Sequence, residues 1–236
     1  MKLKKLVAIT LSAVMCMAAL TGCGGKSDSA KKTAKVIEVD LTDEQYAFGV
    51  DKDQPDLLKE VNQFVKDMKS DGTFDEICNR YFGDGTPVPV KSAAYDESKD
   101  QLVVATNAAF EPFEYMDGEN YVGIDMEIAK ALADKLGKEL VIQNMDFDAV
   151  CLSVGQHKCD VAMAGLTIKP DREEYVAFSD PYYSASQKLI TLSTDTEFDA
   201  CKTADDVNKI LEAKGSDLKI GFQNGTTGQF YCEGDD

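Results

Sequence analysis

The fold is decided by five stretches: residues 102–106 (LVVAT), 124–136 (IDMEIAKALADKL), 139–144 (ELVIQN), 147–155 (FDAVCLSVG) and 160–164 (DVAMA). Short runs of apolar and β-branched residues alternate here with longer stretches in which apolar residues recur at helical spacing. The order is strand, helix, strand, helix, strand. Such connections imply a parallel sheet with helices packed on its faces. The sequence therefore predicts an α/β fold.

Composition excludes several classes of function. The 236-residue chain has 42 Asp and Glu against 25 Lys and Arg, a formal net charge of −17. It lacks the basic surface that nucleic-acid binding requires. Its single histidine, His157, argues against zinc enzymes and against Ser-His or Cys-His catalysis, and we interpret it as a surface loop residue. We predict no metal, no cofactor and no nucleic-acid partner.

The N-terminus predicts export and a lipid anchor. Residues 1–22 combine three lysines with an apolar run, 6–20, that is too short to span a bilayer. The run ends in LTGC (20–23), which resembles the bacterial lipobox. We therefore predict a lipoprotein signal peptide over 1–22 and lipidation of Cys23, with 23–35 as a flexible tether. The expected location is the extracytoplasmic face of the cell membrane.

Two further regions flank the α/β unit. Before it, residues 36–82 predict a strand and two helices, at Gln45–Val50, Pro55–Ser70 and Thr73–Phe82, and a Pro/Gly/Ser-rich linker follows over 83–100. After it come a hinge-like extended run, a helix and a strand, at Gln187–Leu192, Ala204–Ala213 and Leu218–Phe222. We assign 101–192 to a first lobe with its hinge strand and 193–236 to a partial second lobe. Cys201 and Cys232 are the pair to test first for a disulfide, although a reducing habitat would leave both as thiols.

Several motifs in a fixed order resemble family 3 of the bacterial extracellular solute-binding proteins, the polar amino-acid receptors of ABC importers. They are 105–115 (ATNAAFEPFEY), 123–129 (GIDMEIA), 145–147 (MDF), 160–172 (DVAMAGLTIKPDR) and 178–183 (FSDPYY). The resemblance implies a periplasmic-binding-protein-like fold, in which two α/β lobes with parallel sheets are joined by a hinge and close on a ligand.

The resemblance also implies a ligand site in the first lobe. Arg172 offers a planar fork of donors that suits a ligand carboxylate. Thr167 and the Gly165 carbonyl offer acceptors for an ammonium group. Phe110 and Phe147 would wall the pocket. Each residue also has an ordinary structural interpretation: Arg172 pairing with neighbouring acids on a solvated helix, the phenylalanines in the core, and Thr167 as a helix cap.

Two further parts of the site are implied. Asn107 would contact the distal part of the ligand, at a position where the family often has Asp. A neutral amide argues against a strongly cationic ligand side chain. Residues 219–228 (KIGFQNGTTG) are similar to the opening of the family's second lobe, where Gln223, Thr226 and Thr227 would face the ligand and the turn would present donors to its carboxylate.

The chain departs from the family in the order of its parts. Residues 36–82, with LTDEQYAFGV, DGTFDEI and YF, resemble the family's C-terminal end but come first. The family's stretch after Gly-Thr-Thr is missing. A circular permutation, a tandem array with a reduced first copy, and a fragment of a longer chain all remain open. In each case we expect 36–82 to dock on the unit over 102–183, because the linker is long enough.

These features favour a binding protein rather than an enzyme. We expect the substrate-binding lipoprotein of an ABC importer, which captures a polar amino acid between two lobes and delivers it to a permease. An amino-acid sensor domain without transport is the alternative. A dehydratase on the same fold is the third, but the sequence positions no acid/base pair for it.

Overall fold

The computed structural model describes residues 33–234. The predicted signal peptide, the lipidation site Cys23 and most of the predicted tether lie outside the described residues. Twelve strands and seven α-helices are formed within them. The strands are β1 (Ala34–Val36), β2 (Glu44–Tyr46), β3 (Gly49–Asp51), β4 (Gln101–Thr106), β5 (Ala109–Phe110), β6 (Glu114–Asp117), β7 (Asn120–Val122), β8 (Glu139–Asn144), β9 (Val161–Ala162), β10 (Val176–Phe178), β11 (Tyr183–Ala185) and β12 (Ile190–Leu192). The helices are α1 (Pro55–Asp71), α2 (Thr73–Phe82), α3 (Ile124–Leu136), α4 (Phe147–Gly155), α5 (Pro170–Glu173), α6 (Ala204–Lys214) and α7 (Thr227–Glu233).

The main sheet is mixed, with the strand order β10-β3-β9-β4-β8. β4 runs parallel to β8 and β9, as the alternation of strands and helices predicts. β3 runs antiparallel to both of its neighbours, β9 and β10. The predicted parallel arrangement is therefore confirmed for β4, β8 and β9. β10 runs in the same direction as these strands, and β3, which the sequence did not assign to this sheet, is the antiparallel strand of the five. β3 comes from a separate part of the chain and enters the sheet from the opposite end.

Residues 36–82 dock on the first lobe, as predicted. β3 fills the position between β9 and β10, and its Val50 is fully buried. The buried face of α1 includes Val61 and Met68, which share one hydrophobic core with Val104 of β4 and Ile128 of α3. Burial of such side chains contributes about 1.5–3 kcal/mol each. The docked segment thus forms part of the core of this lobe.

The predicted strand at Gln45–Val50 is two strands in the structure. β2 pairs with β11, and β3 turns into the main sheet. The linker over 83–100 lies along the lobe, where Val90 exchanges backbone hydrogen bonds with Tyr121 (2.7 and 3.0 Å) and the Ala93 N–H donates to the Leu140 carbonyl (2.9 Å). Its backbone groups are therefore partly satisfied by the fold they cross.

The second unit, residues 193–234, is small. Phe198 and Val207 pack with Ile37 and Val39 in a separate core cluster, and β1 pairs with β12 beside it. The predicted strand Leu218–Phe222 is wrong, because no described strand lies beside these residues and a strand needs a partner for its backbone groups. The hinge-like run over 187–192 is a strand only at its end, in β12. Cys201 and Cys232, the pair to test first for a disulfide, are free thiols among the described residues, which is the alternative left open for a reducing habitat.

Candidate functional site

A cavity of about 640 Å³ lies between the first lobe and the second unit. Its volume falls in the range of small-molecule sites, about 300–1,000 Å³. All nine residues predicted for ligand binding line it: Asn107, Phe110, Phe147, Gly165, Thr167, Arg172, Gln223, Thr226 and Thr227. The structure thus brings the predicted site together, and the ligand contacts of these residues stay a prediction.

Arg172 is buried at the cavity wall. It lies in the short helix α5, which begins at Pro170, and is 7% exposed. Its Nη1 donates to the Thr167 carbonyl (2.8 Å) and its Nη2 to the Gly225 carbonyl (2.9 Å). No carboxylate among residues 33–234 forms an ion pair with it, so the interpretation as a solvated surface arginine is wrong. Burial lowers the pKa of Arg172 from its usual value, which reflects the cost of an unpaired guanidinium and favours an anion beside it.

Gly165 and Thr167 form the wall next to Arg172. Gly165 has a φ of 53°, and an added Cβ would lie 3.1 Å from the Phe110 ring. Glycine therefore keeps the backbone accessible here. The Thr167 hydroxyl donates to Glu44 Oε2 (2.6 Å). Thr167 is not the cap of α5, since Lys169 holds that position, so the helix-cap interpretation is wrong.

The two phenylalanines differ in their surroundings. Phe110 is 41% exposed and stacks on Phe113 at 5.6 Å between ring centroids. It is not a core residue. Phe147 is partly buried against the second core cluster, and its ring centroid lies 5.2 Å from the Arg172 guanidinium carbon. The Phe147 ring thus offers a cation–π contact that holds the guanidinium plane.

The residues of the second unit reach the cavity as predicted, but most of their donors are engaged within the chain. Gln223 Nε2 donates to Asn107 Oδ1 (3.0 Å), and the Thr226 hydroxyl donates to the Gln223 carbonyl (2.7 Å). The Thr227 hydroxyl donates to Glu44 Oε2 (2.9 Å), and the Gly225 N–H donates to Gln229 (2.7 Å). The turn therefore contacts Arg172 through a carbonyl rather than meeting an anion from the opposite side.

Sequence reasoning missed Glu44 and Tyr46. Both belong to β2, whose burial alternates so that these two side chains share the inward face. Tyr46 lines the cavity, and Glu44 lies behind the hydroxyls of Thr167 and Thr227. The period of two in EQY was the available signal, because it places positions 44 and 46 on one face of a strand.

A buried acidic cluster supports Gly165 from behind. Asp125 Oδ2 accepts from the Gly165 N–H (2.9 Å), and Asp125 Oδ1 accepts from the Tyr182 hydroxyl (2.6 Å). Burial raises the pKa of Asp125 to about 6. Glu114 is fully buried, and neither of its oxygens has a hydrogen-bond partner within the described part of the chain. Burial, followed by the charge of Asp125, raises the pKa of Glu114 well above 4.5.

Replacing Glu114 with methionine is expected to stabilise the protein. The change removes a buried carboxyl without a partner, which costs about 1–3 kcal/mol, and nearly conserves volume. The unfolded chain releases the Glu114 proton first as the pH rises above 4.5. The free energy of unfolding of the wild type therefore falls as the pH rises above 4.5, and the advantage of Glu114→Met grows over the same range, up to the raised pKa of Glu114 in the folded protein.

Urea denaturation at several pH values measures this difference. The control is Glu119→Met, at an exposed position of the same hairpin, which should change stability little at any pH. A Glu114→Met protein less stable than the wild type at pH 8 would show that the carboxyl has a partner it needs.

Other features of the described region carry less information about function. Residues 33–234 contain no group of three or more His, Cys, Asp or Glu side chains arranged to hold a metal ion. In the same range, no helix combines the length and apolar character that crossing a membrane requires.

The sequence matches one family model in two stretches. Residues 8–84 and 102–226 match the bacterial extracellular solute-binding proteins, family 3. The chain belongs to family 3 of the bacterial extracellular solute-binding proteins. The mixed α/β lobe is the fold of this family, so the predicted fold class is confirmed, with its second lobe only partial in the structure. Membership of an extracellular family indicates an extracytoplasmic location.

Curated relatives of this family 3 chain include binding proteins and one enzyme. The arginine-binding extracellular protein ArtP of Bacillus subtilis is 35% identical over 136 residues, which are 54% of this chain and 53% of ArtP. The probable ABC transporter arginine-binding protein ArtJ of Chlamydia trachomatis is 36% identical over 99 residues, 41% of this chain and 38% of ArtJ. The cyclohexadienyl dehydratase of Pseudomonas aeruginosa is 31% identical over 127 residues, 52% of this chain and 47% of the enzyme. The chain thus spans about half, or less, of the length of these relatives.

Proposed function

We propose that this protein binds a polar amino acid in the cavity and delivers it to the permease of an ABC importer. The observation that carries the proposal is the buried Arg172 guanidinium, which has no carboxylate partner among residues 33–234 and lines a cavity with room for an amino acid. Its remaining N–H groups suit an α-carboxylate. The lipid on Cys23 would hold the protein at the outer face of the membrane, next to the permease.

The lining favours an amino acid with an uncharged polar side chain. Among residues 33–234, the charged residues of the lining, apart from Arg172, are three lysines and one aspartate: Lys188, Lys214, Lys219 and Asp195. A buried cationic side chain would need an acidic partner, and the distal residue Asn107 is neutral. The relatives ArtP and ArtJ, by contrast, carry arginine in their names. Glutamine and arginine are therefore the two ligands to compare first.

We propose no catalytic activity. The dehydratase relative is the observation that raises an enzyme as a second candidate. Dehydration needs an acid and a base beside the substrate, and Asp195 is the single carboxylate side chain among the lining residues within the described range, 33–234. An uptake assay distinguishes transport from the alternative of a sensor domain. Cells that carry the permease should take up the bound amino acid if the protein serves transport, and should not if it is a sensor.

A thermal-shift screen against the twenty amino acids tests the proposed binding. A ligand present at a hundredfold excess over its dissociation constant adds about 2.7 kcal/mol to the free energy of unfolding. We expect a polar subset to raise the melting temperature. A screen in which no amino acid raises it would contradict the proposal.

A further inference from the structure

Glu44 is a buried acid at the back of the cavity wall. Glu44 is 3% exposed, and no lysine or arginine among residues 33–234 forms an ion pair with its carboxylate. A buried carboxylate is costly unless hydrogen bonds replace its water. Four donors do so here. Thr167 Oγ1 (2.6 Å) and Thr227 Oγ1 (2.9 Å) donate to Oε2, and Thr42 Oγ1 (2.5 Å) and Gln187 Nε2 (3.1 Å) donate to Oε1.

The hydrogen bonds to Glu44 fix what the cavity wall can offer a ligand. A threonine hydroxyl has one hydrogen and two lone pairs. Thr167 and Thr227 both line the cavity, and both give their hydrogen to Glu44. Thr227 Oγ1 also accepts from Gln187 Nε2 (2.9 Å), so two lone pairs of Thr167 and one of Thr227 remain for the cavity. The wall is therefore an acceptor surface with a negative charge directly behind it.

An ammonium group is the complement of such a wall, because it carries three donors and no acceptor. Arg172 lies on the same cavity, and its guanidinium interacts electrostatically with Glu44. The cavity thus has a cation for an anionic group and, behind the threonines, an anion for a cationic group. A zwitterion matches this pair of charges, whereas a simple carboxylate matches only one of them.

We propose that Glu44 is the positioning residue that makes Thr167 and Thr227 a binding surface for the α-ammonium group of the ligand. The inference rests on the proposed function and assigns a role to a residue outside the predicted site. Glu44 touches no ligand itself. It acts by orienting two hydroxyls that come from different parts of the chain, Thr167 after β9 and Thr227 at the start of α7.

Glu44→Gln tests this role with little change in shape. The amide has an NH2 donor in place of one carboxylate oxygen. If this NH2 replaces Oε2, Thr167 and Thr227 both lose their acceptor, and their hydrogens can turn toward the ligand. If it replaces Oε1, both hydroxyls keep their acceptor, and the wall loses the negative charge behind it. The probes are two matched pairs: L-glutamine with glutaramic acid, and L-arginine with 5-guanidinopentanoic acid. Each second member lacks the α-ammonium group. Titration calorimetry, with competition for the weaker ligands, gives the affinities.

We expect Glu44→Gln to lower, by at least tenfold, the affinity for whichever of the two amino acids binds the wild type. The affinity for the deamino analogue of that amino acid should change less than threefold. Thr167→Val, which removes one hydroxyl and leaves the carboxylate, should reduce the same preference and covers the case in which Glu44→Gln does not fold. Asp51→Asn is the matched control. Asp51 is also 3% exposed, but its carboxylate accepts from His157 outside the cavity, so the affinities should not change.

An equal loss for both members of a pair would show that Glu44 only supports the fold, and would overturn the inference. Unchanged affinity for the amino acid would overturn it as well. If the wild type binds neither L-glutamine nor L-arginine while the chain is folded, the proposed function fails with these ligands and the inference fails with it. The result with the wild type alone therefore separates the two failures.

Discussion

Arg172→Ala is expected to abolish amino-acid binding. The wild-type guanidinium can form two charge-assisted hydrogen bonds with a carboxylate, each contributing about 1.5–3 kcal/mol. Their loss lowers the affinity by at least about 100-fold, since 1.4 kcal/mol is a factor of ten. The side chain also donates to the carbonyls of Thr167 and Gly225, so some stability is lost, and the melting temperature without ligand must be measured beside the affinity.

Two variants make the result on Arg172 specific. Arg172→Lys keeps the charge but not the planar fork, so it should bind with an intermediate affinity. Arg80→Ala removes an arginine outside the cavity, which pairs with Glu127, and should leave the affinity unchanged. Titration calorimetry with L-glutamine and L-arginine gives the numbers. An Arg172→Ala protein that binds within threefold of the wild type would contradict the assignment.

Phe48→Ala is expected to lower the free energy of unfolding by about 3–5 kcal/mol, as replacement of a core phenylalanine does. Phe48 is fully buried between β2 and β3, and its ring stacks on Tyr182 at 4.4 Å between centroids. Such a loss is a large part of the total stability of an ordinary domain, about 5–15 kcal/mol. The effect follows from the docking of residues 36–82 into the first lobe.

Phe82→Ala is the matched control for Phe48→Ala. Phe82 ends α2 in the same segment, is 37% exposed and contacts Phe113 and Tyr183 at 6.4 and 6.2 Å between centroids. It buries less apolar area, so the loss should be well below that of Phe48→Ala. Urea denaturation measures both. A loss for Phe48→Ala as small as that for Phe82→Ala would mean that residues 36–82 do not form part of the core.

Local patterns in the sequence were enough for the parts of the fold whose partners are near in the chain. Periodicity predicts the helices α3 and α4, because each buries one face. Short apolar runs predict the strands β4 and β8, because both lie within the sheet. The place of β3 does not follow from its own sequence, since the strands beside it lie more than a hundred residues further along. Pairing over such distances is decided by the whole sheet.

The candidate site shows the same limit. Motifs identified the residues of the cavity wall, but not the hydrogen bonds behind them. In the sequence, Glu44 is indistinguishable from the many other acidic residues of a chain with a net charge of −17. Its contacts with Thr167 and Thr227 in the structure set it apart from them. The strand expected at Leu218–Phe222 failed for a related reason: its apolar pattern was right, but a strand is formed only when a neighbour supplies hydrogen bonds.

The most direct test of amino-acid binding in this cavity is an NMR titration of the isotopically labelled protein with the amino acid that stabilises it most. Backbone amide signals of Gly165, Thr167 and Gly225 should move together and saturate at one equivalent. Those of Leu102 and Val103 should stay in place, because both lie near the start of β4, whereas Asn107, just after its end, lines the cavity. Saturating shifts centred outside the cavity, or none with any of the twenty amino acids, would contradict the binding of an amino acid between Arg172 and the threonine wall.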